Sequence, residues 1–161
     1  MAKTYTPIAT NTLTSATNTI SFTSIPGTYT DLVYVFEGTM TSGTDMMVQF
    51  NSDTATNYSS TRLYGNGTSA LSTRQTSDTA FYPAIGSLAN RQSIIFQVMN
   101  YSNATTYKTV LNRANNPAGF VGAHAKLWRS TAAITRIDII GASSGTFAPG
   151  STFTLYGILK A

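Results

Sequence analysis

His124 is the one histidine in a chain of 161 residues that holds six acidic residues and no cysteine. Proton transfer and nucleophilic attack lean on histidine, usually one held by a carboxylate. His124 lies in Gly122-Ala123-His124-Ala125-Lys126, between small residues, and its nearest acid along the chain is Asp138. Without a neighbouring carboxylate it makes a poor general base, so a structural or surface role is expected. The acids Asp31, Glu37, Asp45, Asp53, Asp78 and Asp138 lie at least six positions apart. That spacing leaves no local pair for glycoside cleavage. The lack of cysteine removes disulfides and thiolate metal sites. The expected catalytic, cofactor-binding and metal-ligating sets are empty, and the chain is expected not to be an enzyme.

Two features could still bind something. Asn51, Asp53 and Asn57 offer oxygens at alternate spacing, as calcium loops do. Calcium loops carry more carboxylates and a terminal glutamate, so an Asx-turn that folds the loop on itself is the expected reading. Together with Tyr58 these amides could equally meet a sugar. Tyr58, Tyr64, Tyr82, Tyr101, Tyr107 and Trp128 read as aromatics at strand ends or in loops. Aromatics so placed stack on sugars or anchor partners, although most are expected as core or rim residues. The candidate interface or ligand contacts are Tyr5, Pro7, Asn51, Asp53, Asn57, Tyr58, Tyr101 and Trp128.

The elements that must hold these residues follow from period-2 alternation. Leu32, Tyr34 and Phe36 share one face of a run, and Val33 and Val35 the other. Ile94, Phe96 and Val98 alternate with Ile95, Gln97 and Met99, while Ile137 and Ile139 sit opposite Arg136 and Asp138. Strands are expected near 18–23, 30–38, 45–51, 60–65, 80–86, 92–100, 106–113, 121–128, 133–140 and 151–159. Turn residues separate them: Pro26-Gly27, Ser42-Gly43, Asn66-Gly67, Asn115-Asn116-Pro117 and Ser144-Gly145. No window carries a capped apolar stripe at helical spacing. The expected fold is all-β, a single-domain antiparallel β-sandwich, with a jelly roll preferred over another Greek-key topology. Residues 1–13, which include Pro7, read as an edge strand or an extended N-terminal arm, and 14–161 as the sandwich.

Hydrophobic content of 42% supports a core, whereas charged content of 10% is low. Threonine, serine and asparagine fill about a third of the positions. Such a surface is neutral and hydrogen-bonding, with little charge repulsion to keep copies apart. It suits a protein that binds, coats or builds. The net charge of +4 comes from ten scattered basic residues with no run among them. Nucleic-acid grooves cluster their Lys and Arg, so no nucleic acid is expected as a partner. No stretch approaches the length of a membrane-spanning helix, and the first residues lack the apolar region of a secretory signal.

Several strings are more specific than composition. They are Tyr29-Thr30-Asp31-Leu32-Val33, Gln49-Phe50-Asn51-Ser52-Asp53 with Asn57-Tyr58-Ser59, and Leu63-Tyr64-Gly65-Asn66-Gly67. Further along come Asn100-Tyr101-Ser102-Asn103, Leu127-Trp128-Arg129-Ser130-Thr131 and Gly150-Ser151-Thr152-Phe153-Thr154-Leu155-Tyr156-Gly157-Ile158. In this order they resemble small virion proteins of tailed bacteriophages, especially cyanophages, of the decoration or tail-fibre-like β-sandwich kind. The resemblance spans nearly the whole chain and includes no catalytic motif. It implies a virion component made in the host cytoplasm that forms a homotrimer or other homo-oligomer. A capsid decoration or cement protein, docked on the major capsid protein or other virion proteins, is the first expectation. A tail-fibre or receptor-binding module that recognises host glycan is the second. Fibres usually carry a longer attachment region such as a coiled coil, and no heptads are present here.

Overall fold

The structure, a computed structural model, describes residues 4–43 and 45–159. Thirteen strands form it: β1 (Tyr5–Thr12), β2 (Thr19–Phe22), β3 (Asp31–Gly38), β4 (Met40–Ser42), β5 (Met46–Phe50), β6 (Tyr58–Gly65) and β7 (Ala70–Asp78) in the first half. The second half adds β8 (Gln92–Val98), β9 (Lys108–Asn116), β10 (Phe120–Trp128), β11 (Ile137–Gly141), β12 (Thr146–Phe147) and β13 (Thr152–Ile158), with a single 3-10 turn at Ala142–Ser144. Eight strands make one antiparallel sheet in the order β1-β13-β3-β8-β9-β10-β6-β7. The facing layer is two short sheets, β2-β11-β5 and β12-β4. The fold is an all-β, antiparallel sandwich with unequal layers.

Strand alternation builds its core. Every second residue of β3, β8 and β13 points inward, and Tyr34, Phe36, Ile94, Phe96, Phe153 and Leu155 are fully buried. The short sheets answer with Ile20, Phe22, Val48, Phe50, Ile137 and Ile139. Edge-to-face pairs span the two layers, with ring centres 6.4 Å apart for Phe22 and Tyr34 and 6.2 Å for Phe50 and Phe96. Burying each such ring contributes roughly 1.5–3 kcal/mol, which makes this the main source of stability.

Of the segment 1–13 read as an edge strand or arm, residues 1–3 lie outside the described residues, and residues 5–12 form a strand at the edge of the large sheet. They pair with β13 from Tyr5 opposite Ile158 to Thr12 opposite Thr152, with a bulge between Pro7 and Ala9. Pro7 lacks an amide donor, and an edge strand is where that costs least.

Three differences from the sequence reading have physical causes. Strand β7 went unexpected because nearly all its residues are exposed, so it carries no alternation. Residues 80–86 read as a strand but make only one bridge, Phe81 with Val48. Side chains hold this segment instead, as Gln92 Nε2 donates to Ile85 O at 2.9 Å and Asn116 Nδ2 donates to Ile85 O at 3.0 Å. The strand expected at 133–140 starts at Ile137, because Asn51 captures the preceding turn. Its Nδ2 donates to Ala133 O at 2.8 Å, and its Oδ1 accepts the Thr135 and Arg136 amides at 2.9 and 3.1 Å.

Candidate functional site

The loop after β5 turns back on itself. Asn51 and Ser52 both hold positive φ, of 52° and 57°. Asp53 Oδ1 accepts the Ala55 amide at 2.9 Å, an Asx-turn as expected. Its Oδ2 accepts Asn57 Nδ2 at 2.9 Å and the Trp128 indole N–H at 2.7 Å. Burial works against the Asp53 charge, but the bonds from Asn57, Trp128 and Ala55 outweigh it and hold the carboxyl below its ordinary range. These oxygens are committed to protein donors. Asn51, Asp53 and Asn57 form a latch between loops, and among the described residues no group of three acidic or histidine side chains gathers as a metal set.

The aromatics expected at loops and strand ends divide. Tyr107 is exposed and Tyr64 and Tyr82 are half-buried. Tyr58, Tyr101 and Trp128, by contrast, are core residues at 0%, 0% and 1% exposure, which removes them as contact residues for a partner. Each is large enough to fill the core and has its polar atom satisfied there. Tyr58 Oη donates to Asp53 O at 3.0 Å and accepts the Phe50 amide at 3.1 Å. Tyr101 Oη donates to Pro26 O. Of the named contacts, Tyr5 and Pro7 stay exposed, with Tyr5 packed edge-to-face on Tyr156 at 6.3 Å.

The polar residues that stand out lie elsewhere, on the inner face of β9, β10 and β6. Lys108, Asn112 and Asn116 of β9 and His124 and Lys126 of β10 are all buried. Lys126 Nζ donates to Tyr82 O at 3.0 Å and lies 5.5 Å from the Phe81 ring centre. Burial first, then the Arg62 charge, lowers its pKa to about 7, against the pull of Asp45 and Asp78. Lys108 Nζ donates to Thr106 O at 2.8 Å and Thr131 O at 3.1 Å, and burial lowers its pKa too.

His124 differs from both lysines. It is 2% exposed, and neither ring nitrogen has a hydrogen-bond partner among the described residues. Burial, followed by the Lys126 and Arg62 charges, drops its pKa to about 3. The ring is therefore neutral at ordinary pH. Asp138 does not reach it: that carboxylate, 4% exposed, pairs with Arg136 at 2.8 Å and accepts Ser21 Oγ at 2.5 Å. Arg62 is directly opposite His124 in the β10–β6 register, and its Nε is also buried and without a partner among the described residues. A cavity of about 410 Å³ opens beside the two, with Asp45, Tyr64, Phe120 and Ile85 among its walls.

Arg62 and Asp45 were not among the expected site residues. A signal for this cluster did exist. His124 and Lys126 are in phase with Trp128 on β10, so a buried tryptophan places both on the inner face.

The outer face of the same strands is different again. Ala123 and Ala125 of β10 are small and exposed. Around them Leu63, Leu111 and Val121 stand 59%, 53% and 64% exposed. Leu63 and Val121, with Ile95 and Arg113, shape an apolar groove of about 800 Å³ that no other described residue covers, and Leu111 lines a second groove beside it with Leu63, Ile95 and Ala123. Single exposed apolar residues are ordinary; a contiguous cluster on a sheet face marks a contact surface.

No protein-family profile matches the chain, and no curated protein sequence matches it. Among the described residues, no helix is long and apolar enough to cross a membrane.

Proposed function

We infer that the protein is a non-enzymatic building block of a bacteriophage virion, a capsid decoration or cement protein whose copies associate through the outer face of the eight-stranded sheet. The observation that carries this reading is the uncovered cluster of Leu63, Leu111 and Val121 around Ala123. Apolar surface of this kind gains on removal from water, and the charge-poor remainder offers little repulsion against close neighbours. Like copies of the chain associate through this face, and the assembly sits on the shell.

The chemistry of the inner residues supports a structural role. The buried lysines hold backbone carbonyls of loops, and His124 has no carboxylate hydrogen-bonded to it. The alternative, a tail-fibre module that recognises host-surface glycan, loses its aromatic platform, since Tyr58, Tyr101 and Trp128 are core residues. What favours it is the cavity beside His124, with Arg62 and Asp45 on its wall.

Copy number separates the two. Quantified against the major capsid protein in purified particles, a near-stoichiometric amount is expected. A few dozen copies per particle would overturn decoration in favour of a fibre, and absence from the particle would overturn both.

A further inference from the structure

Five buried side-chain polar atoms lack a hydrogen-bond partner among the described residues: Tyr34 Oη, Asn112 Oδ1, both ring nitrogens of His124 and Arg62 Nε. They are not scattered. The strand register joins their residues in one cross-strand row, Tyr34 to Phe96 to Asn112 to His124 to Arg62. A buried polar atom without a partner costs roughly 1–3 kcal/mol. Three of the five atoms belong to the two residues at the outer end of the row, His124 and Arg62, and both residues line the cavity.

Gly122 is next to His124 on the inner face, and a Cβ there would come within 2.6 Å of Ile85 Cδ1 and 3.2 Å of His124 Nε2. A side chain at 122 would collide with Ile85, so glycine lets the 84–86 segment pack closely over β10 beside the cavity. At about 410 Å³ the cavity falls within the range of small-molecule sites, roughly 300–1,000 Å³.

Its chemistry selects a ligand class. The Arg62 guanidinium is a planar fork suited to a carboxylate, and its Nε donor is unused. Neutral His124 offers one donor and one acceptor, which suits a hydroxyl or a carboxylate oxygen beside a hydroxyl. Phe120 and Ile85 give an apolar wall for the C–H face of a ring. Asp45, on the same cavity, can accept from a hydroxyl, and its carboxylate disfavours a ligand with two negative charges. A compact, hydroxylated monoanion fits all four.

We propose that the cavity between β6, β10 and the 84–86 segment binds a monosaccharide-sized acidic sugar, its carboxylate on Arg62 and His124 and a hydroxyl on Asp45. The site is on the inner face and does not depend on the docking role of the outer face, so either reading can fail without the other.

The test is an NMR titration of the full chain with sodium glucuronate, with methyl glucoside and inorganic phosphate as separate probes. The His124 ring and the Arg62 Nε–H resonances are read directly. Glucuronate should shift both saturably, and methyl glucoside, without the carboxylate, should bind far more weakly. Arg62→Gln should weaken glucuronate binding by about tenfold or more, the loss expected for one charge-assisted hydrogen bond. His124→Gln, which keeps a donor and an acceptor, should retain part of it. No shift at His124 in the wild-type chain would overturn the site, whatever the variants do. Phosphate that binds as well as glucuronate would overturn the sugar assignment, leaving an adventitious ion only.

Discussion

The cross-strand row that runs from β13 to β7 on the inner face has two unlike halves. Leu155, Tyr34 and Phe96 form the first and are completely buried against the short sheets. Asn112, His124, Arg62 and Thr73 form the second. The backbone geometry is the same in both, so the difference lies in what covers them. Over β13, β3 and β8 lie strands that bring aromatic rings. Over β10 and β6 lies the segment from Tyr82 to Gly86, which brings backbone carbonyls and makes no strand. Carbonyls need donors, and the sheet supplies them from Lys126, Asn116 and Gln92. The apolar half holds the fold together. The polar half trades hydrophobic burial for hydrogen bonds and leaves His124 and Arg62 with capacity to spare.

The largest expected effect breaks the junction of the halves. Trp128 stacks with Tyr58 at 6.5 Å and packs edge-on against Phe50 at 5.4 Å. Trp128→Ala should cost about 3–5 kcal/mol in denaturant unfolding, the usual range for a buried aromatic. It should also free the Asp53 carboxylate from one of its donors.

Next comes the pH dependence of the polar half. Lys126 has its pKa lowered to about 7 in the fold. Between pH 7 and the unfolded value the unfolded chain therefore binds the extra proton, and stability rises with pH. From pH 7 to 9.5 the gain should be on the order of 3 kcal/mol, at about 1.36 kcal/mol per unit. Lys126→Met should abolish that slope while leaving Tyr82 O without its donor. A slope unchanged in Lys126→Met would show that the buried amine does not titrate as its surroundings demand.

His124 gives a smaller effect in a separate window. Its folded pKa of about 3 is below the unfolded value, so its contribution is present at neutral pH and is lost as pH falls. Between pH 6.5 and 4.5 the His124 contribution to stability should fall by about 2 kcal/mol. His124→Gln should remove this decline. Asp53→Asn, which weakens the bond to the Trp128 indole and the link to Asn57, should cost about 1–2 kcal/mol near neutral pH.

The first half of the row was the more legible in sequence. Tyr34, Phe96 and Leu155 sit in strict alternation, and a period of two on large apolar residues has one reading. The expected strands in 30–38, 92–100 and 151–159 differ from those observed by at most two residues at either end. The second half was harder to see because its inner positions are polar. On β10, Gly122, His124 and Lys126 look like an outward face until Trp128 supplies the phase. Arg62 on β6 gave no hint by itself, since its role depends on a register with β10 set far away in sequence. Of the readings of Asn51, Asp53 and Asn57, the Asx-turn is present at Asp53, whereas their side chains bond to protein groups and not to a ligand. Their task is to latch the 133–136 turn and Trp128, and only the tertiary arrangement puts those donors within reach.

The smallest effect on stability belongs to the outer face of β6, which carries the proposed contact between copies. Leu63 is well exposed in the single chain, so Leu63→Asp should change its stability by no more than about 0.5 kcal/mol. It should nonetheless end association. Sedimentation velocity of the wild-type chain and of Leu63→Asp over the same concentration range tests this directly. The wild type should sediment as a homo-oligomer and Leu63→Asp as a folded monomer with unchanged thermal unfolding. A wild-type chain that stays monomeric throughout, or a Leu63→Asp chain that assembles as before, would contradict docking between copies through this face.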